Sequence, residues 1–207
     1  MRRRRTPVLT WIKEVSTQPK AYITPQQYLE IERRAEYKSE YCAGEMFATA
    51  GATERHVILV GNALFALRQQ LAGEDRRVYS NDMRVRVNAT GLYTYPDLIV
   101  VCGPRQFADD QSDTLLNPQL IVEVLSPSTE AYDRGRKFDH YKTIPSLIYY
   151  VLIANDRIHV DLLTRESENR WIVTSASGPD ATLDLPALAA SFSLAALYEQ
   201  TDLTPGF

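Results

Sequence analysis

Two carboxylates stand in this sequence where ionised groups are costly. Asp97 follows Pro96 at the entrance to the apolar run Leu98-Ile99-Val100-Val101, and Glu123 sits inside Leu120-Ile121-Val122-Glu123-Val124-Leu125, whose other five members are aliphatic. A carboxylate taken out of water must find an opposite charge, hydrogen bonds or a metal. A hard divalent cation such as Mg²⁺ meets that need. It accepts one or two protein carboxylates and keeps waters for a phosphate, so the chemistry on offer is metal-assisted hydrolysis. Other partners would also serve. Asp97 can cap a turn or pair with Arg84 or Arg86, and Glu123 can face solvent at a strand end or enter a buried ion pair.

The segment after Glu123 adds a cation. Ser126-Pro127-Ser128-Thr129 makes a loop, and Asp133 to Lys142 then forms a basic helix that can fold back on the strand ends. Asp133, Lys137 and the pair His140 and Tyr141 share one helical face. Lys137 can point toward the acidic pair, with Phe138 turned to the core. There it would orient or deprotonate a metal-bound water and offset charge on a phosphate. The alternative is a solvated face on which Asp133 and Lys137 simply pair.

The elements that must position these groups follow from periodicity. Thr24-Pro25-Gln26-Gln27 has the composition of a capping box, which predicts a short helix to about Ala35. Tyr37 to Ala50 suits a strand or hairpin. Val57, Val60, Leu64, Leu67 and Leu71 recur at spacings of three and four, so the helix from Glu54 to Leu71 should bury that face. Met83 to Val87 alternates apolar and basic residues, as a half-exposed strand with a basic outward face would. The two runs that carry Asp97 and Glu123 lack alternation and read as central strands buried on both faces. A helix is expected from Asp133 to Thr143, ended by Pro145. Strands are expected at 147–153 and 158–163 around an Asn155-Asp156 turn, then at 171–175, with a last helix near 188–197. This order favours a single α/β domain of the α+β type, a mixed β-sheet flanked by helices. Residues 1–21 read as a basic and polar N-terminal extension and 22–207 as the domain.

Composition narrows the function. The 207 residues carry a formal charge of -3, with 44% apolar and 24% charged residues, which is neither disordered nor basic enough to coat nucleic acid by bulk charge. The run Arg2 to Arg5 is expected to be a solvated tail. No apolar stretch reaches the length of a membrane helix and no signal peptide pattern follows the arginines, so a cytoplasmic protein without membrane contact is expected. Cys42 and Cys102 lack zinc or disulfide spacing, and His56, His140 and His159 are scattered without H-E-x-x-H. G-x-S-x-G, a phosphate loop and G-x-G-x-x-G are all absent, so no organic cofactor is expected.

Pro96-Asp97, Ile121-Val122-Glu123-Val124-Leu125-Ser126-Pro127-Ser128-Thr129, Asp133-Arg134-Gly135-Arg136-Lys137 and Tyr141-Lys142 together resemble the Uma family of restriction-endonuclease-like proteins, within the PD-(D/E)XK nuclease superfamily. The resemblance covers about residues 22 to 200. It implies a restriction-endonuclease-like fold and an endodeoxyribonuclease that uses Mg²⁺, or Mn²⁺, to hydrolyse DNA phosphodiester bonds. Asp97 and Glu123 would be metal ligands with the Val124 carbonyl as a third, and Asp97, Glu123 and Lys137 the catalytic set. The superfamily pattern calls for lysine two residues after the glutamate, where this chain has Leu125. Lys137, with Lys142 as its rival, would replace it. Glu40, Glu45, Glu54, His56 and Asp82 are further candidates near the long helix, Glu45 and His56 foremost. Arg84, Arg86, Arg134 and Arg136 offer forked donors to DNA phosphates. A homodimer is expected, since cutting both strands with one centre per chain needs two copies. The competing expectation is a catalytically inactive DNA-binding or protein-interaction module on the same fold.

Overall fold

The computed structural model describes residues 22–49, 51–73 and 75–203. The expected extension over residues 1–21 lies outside them, as do Ala50, Glu74 and 204–207. The capping box forms as read: the Thr24 side chain accepts from the Gln27 backbone N–H at 3.2 Å, and Gln27 Oε1 accepts from the Thr24 N–H at 2.9 Å. It opens α1 (Pro25–Glu32). The hairpin follows as β1 (Ser39–Cys42) and β2 (Glu45–Ala48), joined through Ala43 and Gly44. Both have positive φ, of 50° and 90°, which the tight turn requires. The long helix is α2 (Glu54–Gln70), capped by Thr53.

The remaining chain gives β3 (Arg76–Ser80), β4 (Arg84–Val87), β5 (Leu92–Thr94), β6 (Leu98–Cys102), β7 (Thr114–Leu115) and β8 (Leu120–Val124). A helical segment then runs through α3 (Glu130–Tyr132), a π-helical turn (Asp133–Lys137) and α4 (Phe138–Tyr141). Strands β9 (Tyr149–Ile153), β10 (His159–Ser167), β11 (Arg170–Ser177), β12 (Thr182–Leu185) and β13 (Ala190–Ser193) precede α5 (Leu194–Leu197).

Two sheets stack. The larger has the order β11-β10-β9-β8-β6-β3 and the smaller β2-β1-β5-β4-β7, with β12 and β13 as a separate pair. The larger sheet is mixed: β8 and β9 are parallel, while β6 pairs antiparallel with β8. Alternation along these buried strands sorts their side chains. Leu98, Val100, Leu120, Val122 and Val124 join Leu59, Ala63 and Leu67 of α2 in one core, and Ile99, Val101 and Ile121 join Val85, Val87 and Leu115 of the smaller sheet in the other. Asp97 and Glu123 have the odd parity of the second set. They therefore face the smaller sheet and the helical segment. Among the described residues no helix is long and apolar enough to cross a membrane.

Three expectations are corrected. The buried row of α2 is Leu59, Ala63 and Leu67, with Val60 and Leu64 flanking it, while Val57 is exposed. Counting only large apolar residues hid Ala63, whose small side chain lets the helix approach the sheet. The face of β4 expected to point outward is covered instead. Arg84 is 2% exposed, with Nε donating to Thr114 Oγ1 at 2.9 Å, Nη1 to the Tyr95 hydroxyl at 2.8 Å and Nη2 3.0 Å from Asp113. Arg86 is half-buried over the Tyr93 ring. Finally, the helix expected near 188–197 is confined to Leu194–Leu197, because Ala189 adopts a left-handed conformation and residues 190–193 form β13. Leu183 and Phe192, Leu185 and Ala190 pair across β12 and β13 and pack on the core with period two.

One residue of β10 secures the end of the helical segment. Arg165 donates from Nε to the Leu147 carbonyl at 2.7 Å and from Nη2 to those of Lys142 and Ile144 at 2.8 and 2.9 Å, with its guanidinium over the Trp171 ring at 4.4 Å. Charged donors on helix-terminal carbonyls stabilise more than neutral ones. Arg165→Ala is expected to lower the unfolding free energy by about 2 kcal/mol, measured by urea denaturation. An unchanged midpoint would dismiss this anchor.

Candidate active site

The register of the central strands explains how the acidic pair meets. The β6 and β8 ladder pairs Ile99 with Ile121 and Leu98 with Val122. One step further sets Asp97 opposite Glu123, where directly opposed side chains share a face. Pro96 supplies no N–H to continue the ladder, and Asp97 takes over the pairing with its side chain. Its Oδ2 accepts from the Val124 N–H at 2.7 Å, and its Oδ1 lies 3.0 Å from His56 Nε2. His56 stands in the first turn of α2, so the long helix touches the site at its N-terminal end.

Glu123 is deeper, 4% exposed. Its Oε1 receives the Lys137 ammonium at 2.9 Å and the Tyr141 hydroxyl at 2.9 Å. Lys137 itself is 6% exposed and also faces Glu40 Oε1 at 3.5 Å and Asp133 Oδ1 at 3.6 Å. The π-helical turn carries both Asp133 and Lys137 inward. Such wide turns recur at functional sites. Glu40 arrives from β1 of the smaller sheet and accepts a hydrogen bond from Thr94 Oγ1. Four elements, the two central strands, the smaller sheet and the helical segment, thus meet at one point.

The site is electrostatically unbalanced. Three carboxylates, Glu40, Glu123 and Asp133, gather around Lys137, and Asp97, with His56 beside it, stands opposite Glu123. Burial pushes the Glu123 carboxyl up to about 8, with Lys137 opposing that shift and Asp97 and Asp133 adding to it. Burial also raises Asp133, against the pull of Lys137. Burial works against charge on Lys137, but Glu123, Glu40 and Asp133 outweigh it and hold the ammonium well above the usual lysine range. For His56 the hydrogen bond and charge of Asp97 likewise overcome burial and raise the imidazole. The cluster therefore retains protons and calls for further positive charge.

The other residues singled out in the sequence scatter. Lys142 lies outside the cluster, exposed and paired with Asp139 at 2.6 Å. Asp82 is exposed and paired with Lys38 at 2.7 Å. Glu45 lies one strand further out than Glu40, on β2 opposite Cys42, and Glu54 begins α2 on the exposed side. Arg84 and Arg86 belong to the covered face of β4. Arg134 is engaged by Glu130 and Asp161, at 2.8 and 2.7 Å, and Arg136 is exposed. Glu40 ranked low on sequence and Thr94 passed unnoticed. The available signal was the alternation in β1, where Glu40 and Cys42 share the face opposite the buried Tyr41.

The carboxylates of Asp97 and Glu123 are hard oxygen donors, the type that Mg²⁺ or Mn²⁺ takes. Among the described residues no group of three or more His, Cys, Asp and Glu side chains is placed to hold a metal. A cation here would accordingly draw on the two carboxylates, backbone and water, and the excess of buried negative charge fits one.

Residues 25–197 match the model of the Uma2 family, described as "Putative restriction endonuclease". The Synechocystis sp. protein slr1290, named as uncharacterized, is 34% identical over 176 residues, which are 85% of this chain and 91% of that protein. A second Synechocystis protein, sll1609, also named as uncharacterized, is 32% identical over 162 residues, 78% of this chain and 92% of its own. A crystal structure from Anabaena variabilis, described as a "putative nuclease belonging to DUF820", shares the fold. It has a TM-score of 0.71 at 18% identity and covers 86% of this chain and 99% of its own.

Proposed function

Because the chain belongs to the Uma2 family of restriction-endonuclease-like proteins, we propose that it is a metal-dependent endonuclease that hydrolyses DNA phosphodiester bonds at the Asp97–Glu123 site. The observation that carries this reading is the approach of the Lys137 ammonium to Glu123 at 2.9 Å, beside an aspartate one strand away. It supplies the lysine that the sequence lacks at position 125.

Asp97 and Glu123 would hold Mg²⁺ or Mn²⁺, with the Val124 carbonyl as a third donor. Bound there, the metal would supply Lewis acidity toward a phosphate and acidify a water. The protein's own groups do the rest. The Val124 N–H and His56 fix the Asp97 carboxylate, and the Tyr141 hydroxyl and Lys137 fix Glu123, so little reorganisation is left for the reaction. Lys137 would offset charge on the attacked phosphate and orient the attacking water. Of the four arginines considered for DNA, Arg136 is the exposed one and lies in the π-helical turn that carries Lys137. Cutting both strands of a duplex calls for two copies of the chain.

The competing reading, a binding module without cleavage, draws on one observation. The Lys137 ammonium, 2.9 Å from Glu123 Oε1, can by itself serve as the partner of that carboxylate. Two measurements separate the readings. In plasmid nicking, the protein with Mg²⁺ or Mn²⁺ is expected to convert supercoiled DNA, and Asp97→Ala to stop it. In thermal melts without DNA, a cation at 100 times its Kd is expected to stabilise the wild type by about 2.7 kcal/mol, and the Asp97→Ala/Glu123→Ala double variant not at all. DNA binding without cleavage under either metal would hand the protein to the competing reading.

A further inference from the structure

The helical segment that carries Lys137 is held from outside by a buried acid that the proposed chemistry does not use. Asp161, on β10, is 7% exposed. Its Oδ2 receives Arg134 Nη1 at 2.7 Å, and its Oδ1 receives the Ser175 hydroxyl at 2.5 Å and lies 2.9 Å from His159 Nε2. His159 Nδ1 is in turn 2.8 Å from the Ser177 hydroxyl. Cross-strand register explains the cluster, since His159 opposes Ser177 and Asp161 opposes Ser175 in the β10–β11 ladder. Arg134 belongs to the same π-helical turn as Asp133 and Lys137, and its Nε also binds Glu130 at 2.8 Å.

The order Ser177, His159, Asp161 resembles a nucleophile relay, but the second oxygen of Asp161 is taken by the Arg134 guanidinium. That leaves the acid as a receiver of donors rather than as a group that drives a histidine. Its hydrogen bonds converge on one outcome, the fixing of Arg134. The inner side of the turn is tied separately, by the Tyr150 hydroxyl on the Asp133 carbonyl at 3.0 Å. A turn held at Asp133 on one side and at Arg134 on the other has little freedom to rotate Lys137 away from Glu123.

We infer that Asp161 is a positioning residue: through Arg134 it sets the rotation of the π-helical turn, and with it the place of Lys137 beside Glu123. Arg134 is thereby a structural tether, not a DNA contact. The inference rests on the nuclease reading only for its effect on catalysis. Partners one step removed from a site typically change its activity 10- to 100-fold when lost.

The test combines hydrogen–deuterium exchange of the metal-free protein with nicking kinetics. In Asp161→Asn, amides of residues 130–142 are expected to exchange at least about tenfold faster than in the wild type while those of β6 and β8 stay unchanged, as local opening predicts. With metal, kcat is expected to fall about 10- to 100-fold at constant KM. In a Lys137→Ala background the same substitution is expected to leave any residual kcat unaltered, because both act through one group. Arg134→Gln should reproduce the exchange effect and serves if Asp161→Asn melts globally, and Arg134→Lys should restore part of it. Exchange at 130–142 unchanged in these variants overturns the inference, whether or not the wild type cuts DNA. A wild type that never cuts, with exchange altered as expected, leaves the tether standing and removes the nuclease reading instead.

Discussion

Glu123→Gln is expected to remove metal-dependent cleavage while leaving the metal-free protein at least as stable as the wild type at pH 8. The two effects have separate causes. With Glu123 as the proposed metal ligand, its loss would deprive the reaction of several kcal/mol of charge stabilisation. At about 1.4 kcal/mol per tenfold, a fall of roughly a thousandfold or more in nicking rate follows. Stability moves the other way because Glu123 is held as an anion at a cost. Burial raises its carboxyl from 4.5 to about 8, so between those values the folded chain binds more protons than the unfolded one. Wild-type stability must therefore fall as pH rises through that window, with a limiting slope of about 1.4 kcal/mol per pH unit for one proton. The glutamine accepts from Tyr141, keeps the side-chain volume and has no proton to lose. Lys137 retains Glu40 and Asp133 as partners. Urea unfolding of both proteins at pH 5 and pH 8 gives the answer: the wild type should lose stability between them and the variant should lose less. A variant that cuts at the wild-type rate would remove Glu123 from the site, and one that matches the wild-type pH slope would show that Glu123 does not titrate in that window.

The same tension between burial and charge made the candidate acidic pair readable from sequence. A glutamate among five aliphatic residues cannot belong to an ordinary strand, and a strand pattern without alternation implies cover on both faces, which β8 has. The first helix cap was legible because it depends on neighbours in the chain, Thr24 with Gln27. What stayed hidden depends on distant partners. Arg84 looked exposed because an alternating strand says which residues share a face but not what covers it. Here Tyr28 and Tyr95, from other elements, stack near its guanidinium at 5.7 and 5.6 Å, and Asp113 reaches it from 29 residues downstream. Glu40 was hidden likewise, since its partner Lys137 lies almost a hundred residues away. The final helix is shortened to Leu194–Leu197 for a local reason. Leu188, Leu194 and Leu197 suggest helical spacing, yet the left-handed Ala189 resets the chain, and packing of Phe192 against the core outweighs the helical preference of alanine.

Lys137→Met should produce the largest loss of stability of any single change in the site. Methionine keeps much of the lysine stem's bulk, so the packing change is small and the charge change dominates. Glu40, Glu123 and Asp133 would then lie together, largely buried, without their shared cation. Breaking a buried ion pair by removing one partner costs about 3–5 kcal/mol. The pH dependence identifies the cause. In the wild type Lys137 stays charged throughout the neutral range, because the surrounding carboxylates raise it well above 10.5. Its contribution would be lost only as pH climbs through that raised value. Without it, Glu123 and Asp133, both already above their ordinary values of 4.5 and 3.8, must rise further. Carboxyls raised by folding destabilise the protein as pH increases through the window between unfolded and folded values. The variant should accordingly come close to the wild type at pH 5 and lose most at pH 8. A divalent cation should replace part of the missing charge, so Mg²⁺ or Mn²⁺ is expected to raise the melting temperature of Lys137→Met more than that of the wild type. Cleavage should not return with stability. Loss of a general acid–base or charge-offsetting group typically lowers the rate 10²- to 10⁴-fold, and a protein restored by the cation would still lack the ammonium beside the phosphate. Equal stability of variant and wild type at pH 8 would show that the carboxylates do not depend on Lys137. Wild-type nicking by the cation-stabilised variant would place the catalytic lysine elsewhere.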